Sequence, residues 1–183
     1  MFQQYYARFW ALISSKNNSV ANIRNINQPF EPWIDEKCHV LILGSFPSIK
    51  AVAKGYYYGN PNNRFYNVLG SLLKINIDGD ANRRKTILLS NHIAVHDVIE
   101  SCLIDGSSDA SIREVAISNI DLLIDRYSIR HIFLNGQTAG RLFDKHFPHL
   151  IEKRTILPST SPANAKMQLD DLVQIWRQVL AYL

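Results

Sequence analysis

Residues 38–66 constrain this chain more than any other stretch. Cys38-His39-Val40-Leu41-Ile42-Leu43-Gly44 is an apolar run of strand length with β-branched Val40 and Ile42, and Ser45-Phe46-Pro47-Ser48 stops it. A continuous apolar run closed by Gly, Ser and Pro reads as a strand buried on both faces, as in a parallel sheet. The block that follows, Gly55-Tyr56-Tyr57-Tyr58-Gly59-Asn60-Pro61-Asn62-Asn63-Arg64-Phe65-Tyr66, joins a triple tyrosine, three asparagines, a proline and an Arg-Phe pair. A loop that only faced solvent has little use for that mixture. Rings beside amides and a cation suit a ligand with flat rings and phosphates.

The rest of the chain alternates helical and strand patterns. Phe2, Tyr5, Tyr6, Phe9, Trp10 and Ile13 predict an aromatic-faced helix over 2–14, and 15–37 reads as an irregular approach to the first strand. A helix capped by Asn62 or Asn63 carries Phe65, Val68, Leu69, Leu72 and Leu73 inward, and a second runs from Asp80 to about His92 with Arg83, Arg84 and Lys85 on its exposed side. Residues 94–99 form a short strand, 111–126 have helical periodicity, and 130–135 form a third strand that turns at Gly136 into a helix. A fourth strand, 154–157, ends at Pro158-Ser159-Thr160-Ser161-Pro162, and a last helix starts near Gln168. Such alternation predicts an α/β sandwich of three layers with a parallel sheet between helices. Ligands of such sheets sit at the carboxyl ends of the strands, so Gly44–Pro47, Asp97, Asn135–Gln137 and Pro158–Ser161 should converge.

With 183 residues a single domain spanning 1–183 is expected, residues 1–37 being an N-terminal helix and irregular lead-in. No run is long and apolar enough to span a membrane and no secretory leader is read, so cytoplasmic residence is the expectation. Cys38 and Cys102 are too few for a disulfide framework or a thiolate cluster and read as small core residues. Net charge is +4, yet seven basic residues against Asp78 and Asp80 give the Gly44–Ser90 segment +5 on its own. A polyanionic partner fits that segment, as does a merely solvated basic face.

Several chemistries lack their residues. There is no Gly-x-Gly-x-x-Gly, no phosphate-loop lysine, no Gly-x-Ser-x-Gly elbow and no pair of metal ligands at metal spacing. Ser159 with a histidine is a remote hydrolase pair, because Pro-Ser-Thr-Ser-Pro lacks the glycines of a strained nucleophile turn. The polar, uncharged and aromatic residues that remain suit holding a nucleobase and its phosphates, and a base so held has left its duplex stack.

Three motifs in this order, Gly44-Ser45-Phe46-Pro47-Ser48, Tyr57-Tyr58-Gly59-Asn60-Pro61-Asn62-Asn63-Arg64-Phe65 and Leu157-Pro158-Ser159-Thr160-Ser161-Pro162-Ala163-Asn164, resemble the uracil-DNA glycosylase superfamily. The resemblance is closest to its hypoxanthine (deoxyinosine) branch, shares the outline of the mismatch-specific uracil enzymes, and runs from about residue 38 to the C-terminus. It implies a central four-stranded parallel sheet, hydrolysis of the N-glycosidic bond of a deaminated base in DNA, no metal, no cofactor and a monomer.

Carried over by position, the resemblance makes Gly44, Ser45, Phe46 and Pro47 the pocket floor and Tyr58 the ring that stacks on the extruded base. It assigns the attacking water to Asn63, with Asn60 beside it. Ser159, Thr160 and Ser161, with Asn164 and Arg64, then meet the DNA backbone. Phe46 stands where the uracil enzymes carry Asp or Asn and cannot position a water, which lowers the expectation of strong uracil activity. Read without the resemblance, Asn60 and Asn63 are equally turn and helix-cap residues, His96 and Asp97 are structural, and His131 is exposed. A mismatch-specific uracil enzyme and a non-catalytic DNA or nucleotide binder on the same fold stand as alternatives.

Overall fold

The computed structural model describes residues 23–105 and 112–183. β2 (Val40–Gly44) lies inside a four-stranded sheet of order β3-β2-β6-β7, with β3 at Ile93–Asp97, β6 at His131–Asn135 and β7 at Arg154–Leu157. All three pairings are parallel: Val40 opposite Ile93 and His131, Ile132 opposite Arg154. This is the expected central sheet.

Alternation along β2 explains why every one of its residues is apolar or glycine. Val40 and Ile42 face one core with Phe65, Val68 and Leu69 of α2 (Phe65–Leu73), Leu88 of α3 (Ala81–Ser90) and Leu172 and Trp176 of α6 (Leu169–Trp176). Leu41 and Leu43 face a second core with Ile120 of α4 (Ile120–Arg126) and Ala139 and Phe143 of α5 (Gln137–His146). A strand with both faces buried has no polar side, hence the unbroken run. The short α1 (Ile49–Lys54) is opened by Ser48, whose Oγ accepts the Ala51 N–H, and α3 by Asp80, whose carboxylate accepts the Arg83 N–H.

Outside this frame the sequence expectations need correction. β1 (Ile23–Asn27), β4 (Ile99–Asp105) and β5 (Ile112–Ile117) form a separate antiparallel sheet of order β1-β4-β5. Residues 23–27 are therefore not irregular, and 112–117 are strand rather than helix. Ile112 and Val115 are spaced for a helix as well, but exposure of the described side chains alternates from Glu114 to Ile117, and the helix starts only after Asn119, whose Oδ1 accepts the Leu122 N–H. The strand expected over 94–99 divides at Val98: Val98 N–H bonds Gly44 O and Ile99 N–H bonds Ser45 O as the chain leaves the sheet. The helix expected over 2–14 lies outside the described residues. His131 is buried rather than exposed, stacked 4.0 Å from the Tyr182 ring with Nε2 2.9 Å from Thr155 Oγ1.

Candidate active site

The carboxyl ends of the four strands bring together Gly44, Asp97, Asn135 and the Pro158–Ser161 segment. Gly44 has no room for a side chain: a Cβ there would stand 2.2 Å from Asp97 Oδ1 and 3.1 Å from Tyr58 Oη. Those contacts put the Asp97 carboxyl and the Tyr58 hydroxyl on the floor that the glycine leaves open. Both groups are buried, and among the described residues the Tyr58 hydroxyl makes no hydrogen bond of good geometry, the Asn135 amide lying near enough to act on it. A buried hydroxyl so weakly satisfied is free to bond a ligand. Tyr58 also holds φ of 55°, a left-handed backbone costing roughly 1–2 kcal/mol for a non-glycine residue. Its ring lies against Phe65 with centroids 3.8 Å apart, a stack that fixes its direction.

The electrostatics of this floor follow from burial. Desolvation lifts the Asp97 carboxyl to about 7, against a smaller opposing effect of the Gln28 amide, whose Nε2 donates to Oδ2 at 2.8 Å. The carboxyl therefore passes between neutral acid and anion near neutral pH, the behaviour of a group able to hold or give a proton. Burial raises the Tyr58 phenol well above its ordinary range, Asp97 adds in the same direction, and the Asn135 amide opposes them. On the next residue back, His96 is lowered to about 4 by burial and is neutral, its Nδ1 2.8 Å from the Tyr57 hydroxyl. Asp97 was not singled out as a site residue from sequence; its place at a strand end was the signal available.

The late loop is built as a unit. Asn135 Nδ2 donates to Thr160 Oγ1 and Thr160 N–H donates to Asn135 Oδ1, both at 2.9 Å, so the strand end and the loop satisfy each other. Gly136 sits at φ of 104°, and a Cβ there would stand 2.9 Å from Ser159 Cβ. The Asn164 amide donates to Ser159 O, Ser161 Oγ accepts the Ala163 N–H, and Trp176 Nε1 donates to Pro158 O.

Arg64 joins this loop to the tyrosine–asparagine block. Its Nη2 donates to Ser161 O at 3.0 Å and Asn164 O at 2.8 Å, Nη1 donates to Met167 O, and its own N–H donates to Thr160 O. The guanidinium expected to face DNA is spent on protein carbonyls, so its part is that of a clamp. Ser159 Oγ accepts the Ser161 N–H, and none of the histidine hydrogen bonds among the described residues reaches it, so no hydrolase pair forms.

Asn60 and Asn63 are placed less centrally. Asn60 Oδ1 accepts the Asn62 N–H and Asn63 Oδ1 accepts the Phe65 N–H at 3.0 Å, two turn bonds of the same span, while the residue at the cap of α2 is Arg64, without a side-chain cap bond, and not Asn62 or Asn63 as expected. Each amide oxygen keeps a second lone pair and each Nδ2 is unspent among the described residues. With Tyr58, Gly59 and Pro61 they line an open groove of about 600 Å³. Tyr58 is the link: it lines that groove, and its hydroxyl lies beside Gly44 on the floor. Ser45 bonds through its carbonyl to Ile99, and Phe46 and Pro47 follow it half-buried. Among the described residues no cluster of three or more His, Cys, Asp or Glu side chains is placed to hold a metal ion, and no helix is long and apolar enough to cross a membrane.

The site thus offers hydrogen-bond donors and acceptors of little fixed charge under an aromatic ring, with no nucleophile activated by a neighbouring base. Known proteins resemble the chain as a whole. The chain is 32% identical over 143 residues to the hypoxanthine DNA glycosylase of Methanosarcina acetivorans, covering 77% of this chain and 90% of that protein. It is 30% identical over 141 residues to the Methanosarcina barkeri protein of the same name, covering 76% and 89%. A solution NMR structure from Methanosarcina acetivorans, named provisionally as a uracil DNA glycosylase, superposes with a TM-score of 0.71 at 28% identity, over 86% of this chain and 99% of that one. The family model of the uracil DNA glycosylase superfamily matches residues 31–180, and the chain belongs to that superfamily.

Proposed function

We propose that this protein is a monofunctional DNA glycosylase that releases hypoxanthine from deoxyinosine in DNA. The observation that carries the reading is the buried floor at the carboxyl edge of the sheet, where Asp97 and the weakly satisfied Tyr58 hydroxyl meet beside Gly44. The names of the two relatives support the choice of base.

In this reading an extruded purine lies over the Gly44–Pro47 loop with the Tyr58 ring against it. Water attacks C1′ as the C1′–N9 bond breaks, and the bonding electron pair leaves with the base. The departing base gathers negative charge, which the Tyr58 hydroxyl and the neutral form of Asp97 can meet as donors. A preorganised donor in a water-poor site contributes roughly 3–4 kcal/mol to such a step. Asn63 orients the water by accepting a hydrogen bond from it through the second lone pair of its amide oxygen; the proton the water sheds on bonding to C1′ passes to solvent and balances the proton that the departing base takes up. Asn60 braces the same turn. Ser159 and Ser161, with Asn164, meet the phosphates beside the lesion, while Thr160, fully buried and bonded to Asn135 through its hydroxyl and N–H, and Arg64 hold that loop in place and do not touch DNA. Phe46 offers no water-holding group, so uracil is a poorer substrate than hypoxanthine.

The test is a panel of oligonucleotides carrying deoxyinosine, uracil or xanthine, read by free-base release. Wild type releases hypoxanthine fastest and leaves an alkali-labile abasic site without cutting the strand. Asn63→Ala removes release at least 100-fold with DNA binding retained. Unchanged release would take the water from Asn63 and leave it only its turn bond.

A further inference from the structure

The groove lined by Tyr58, Asn60 and Asn63 carries a second site at its other end. The groove there is closed by α2, the 74–78 segment and the start of α3, and is lined at that end by Tyr56, Tyr66, Asn67, Lys74, Asn76 and Arg84. Arg84 was expected on an exposed helix face. Instead its Nε donates to Gly79 O at 2.9 Å and Nη1 to Ile77 O at 2.6 Å, while its guanidinium carbon lies 4.3 Å from the Tyr66 ring centroid and 5.2 Å from that of Tyr56. Tyr66 is itself fixed, its hydroxyl donating to Tyr57 O at 2.5 Å. The cation is thus immobilised against two rings, with Nη2 left to donate.

No carboxylate neutralises this arrangement. Among the ion pairs of the described residues neither Arg84 nor Lys74 takes part, and the one acidic residue of the groove, Asp78, is engaged by Asn76 Nδ2 at 2.8 Å and Arg83 Nε at 3.4 Å. An aromatic surface, a positioned guanidinium and a lysine in a cavity of about 600 Å³ match one nucleotide, its base on the tyrosine and its phosphate on the cations.

We infer that this groove binds an unpaired nucleotide of the DNA strand that carries the lesion, outside the base pocket. The inference rests on the proposed glycosylase reading for the identity of the strand. The residue that floor and groove share supports a strand over a free nucleotide: Tyr58 lines the groove and its hydroxyl lies beside Gly44, so a chain leaving the floor enters the groove past Tyr58. It follows that lengthening a single strand on one side of deoxyinosine adds affinity, and that single strands are used as well as duplexes.

The test measures binding of fluorescent single-stranded oligonucleotides, with deoxyinosine at varied distances from either end, to wild type, Tyr56→Leu and Lys74→Gln. Arg84→Lys is a third variant, with circular dichroism checking its fold. Wild type gains roughly tenfold in affinity as the strand grows past the lesion on one side, the size of one stacked base. The variants lose that gain, and Lys74→Gln lowers the slope of log K against log salt by about 0.7, one single-strand phosphate contact. Single-turnover base release at saturating enzyme stays within twofold of wild type. Length-independent binding, equal in wild type and variants, overturns the inference, as does displacement of the longer strand by a free deoxynucleoside monophosphate at its own equal affinity. Should the protein bind strands in this way but release no base, the glycosylase reading fails and the groove stands.

Discussion

The floor and the groove share Tyr58 and are built by opposite rules. The floor is closed, its polar groups are paired or neutral, and a single added methyl group at Gly44 has nowhere to go. The groove is open, carries uncompensated positive charge and is held by contacts to backbone carbonyls at its rim. Chemistry on a neutral leaving base needs a dry, fixed environment, because hydrogen bonds gain strength where water is excluded. Holding a charged strand needs access and cations, and tolerates sequence. The difference assigns discrimination between bases to the floor and affinity to the groove.

Gly44→Ala breaks the floor and has the largest expected effect. The new methyl group overlaps Asp97 Oδ1 and crowds Tyr58, so base release falls at least 100-fold and stability by roughly 1–3 kcal/mol. Strand affinity measured by anisotropy changes less than threefold if floor and groove are separable. Equal losses in both would show that they are one site.

Asp97→Asn comes next, and it sharpens the electrostatic half of the comparison. The folded-state value of Asp97 is raised from 3.8 to about 7. Between those values the folded protein holds the proton more firmly than the unfolded chain, so the contribution of this group to stability is fully present below about pH 4 and is lost as pH rises to about 7. A shift of that size corresponds to an upper limit on the order of 4 kcal/mol. Urea unfolding at pH 5 and pH 8 should show Asp97→Asn gaining relative to wild type at the higher pH, while base release becomes less dependent on pH between 6 and 8. His96, lowered by burial, acts in the opposite direction in acid but is common to both proteins. A wild-type-to-variant difference that does not vary with pH would contradict a buried, protonated Asp97.

Arg64→Ala has the smallest of the three effects on chemistry, because it touches the late loop and not the floor. Losing donors to Ser161, Asn164 and Met167 carbonyls costs roughly 2–3 kcal/mol and loosens the loop. Duplex affinity should fall about tenfold with single-turnover release reduced less. Arg64→Lys restores little, since one ammonium cannot span three carbonyls as a planar fork does.

These two regions also differ in how far they could be read from sequence. β2, the turn at Gly44–Pro47 and the late Pro158–Ser161 loop were visible because a strand buried on both faces and a Gly/Pro stop are local patterns. Arg84, by contrast, has an ordinary helical address, and only the fold of the 74–80 segment turns it onto Tyr56 and Tyr66. The same holds for the antiparallel sheet: Ile23-Arg24-Asn25-Ile26-Asn27 has no clear alternation, and its partner β4 lies some eighty residues along the chain. Arg64 was expected at the DNA backbone and instead bonds three carbonyls of the late loop, since a cation in a phosphate-binding motif and a cation that clamps carbonyls look alike until the loop is folded around it. Asp97 was placed correctly at a strand end, but its titration near pH 7 is a property of burial, which no neighbouring residue in the sequence announces.

The most direct measurement is mass-spectrometric detection of free base from single-stranded and duplex DNA carrying one deoxyinosine, beside matched uracil and xanthine substrates. The account predicts free hypoxanthine as the fastest product, an intact abasic strand, and loss of that product in Gly44→Ala. Absence of free base from all three substrates, or uracil released faster than hypoxanthine, would contradict it.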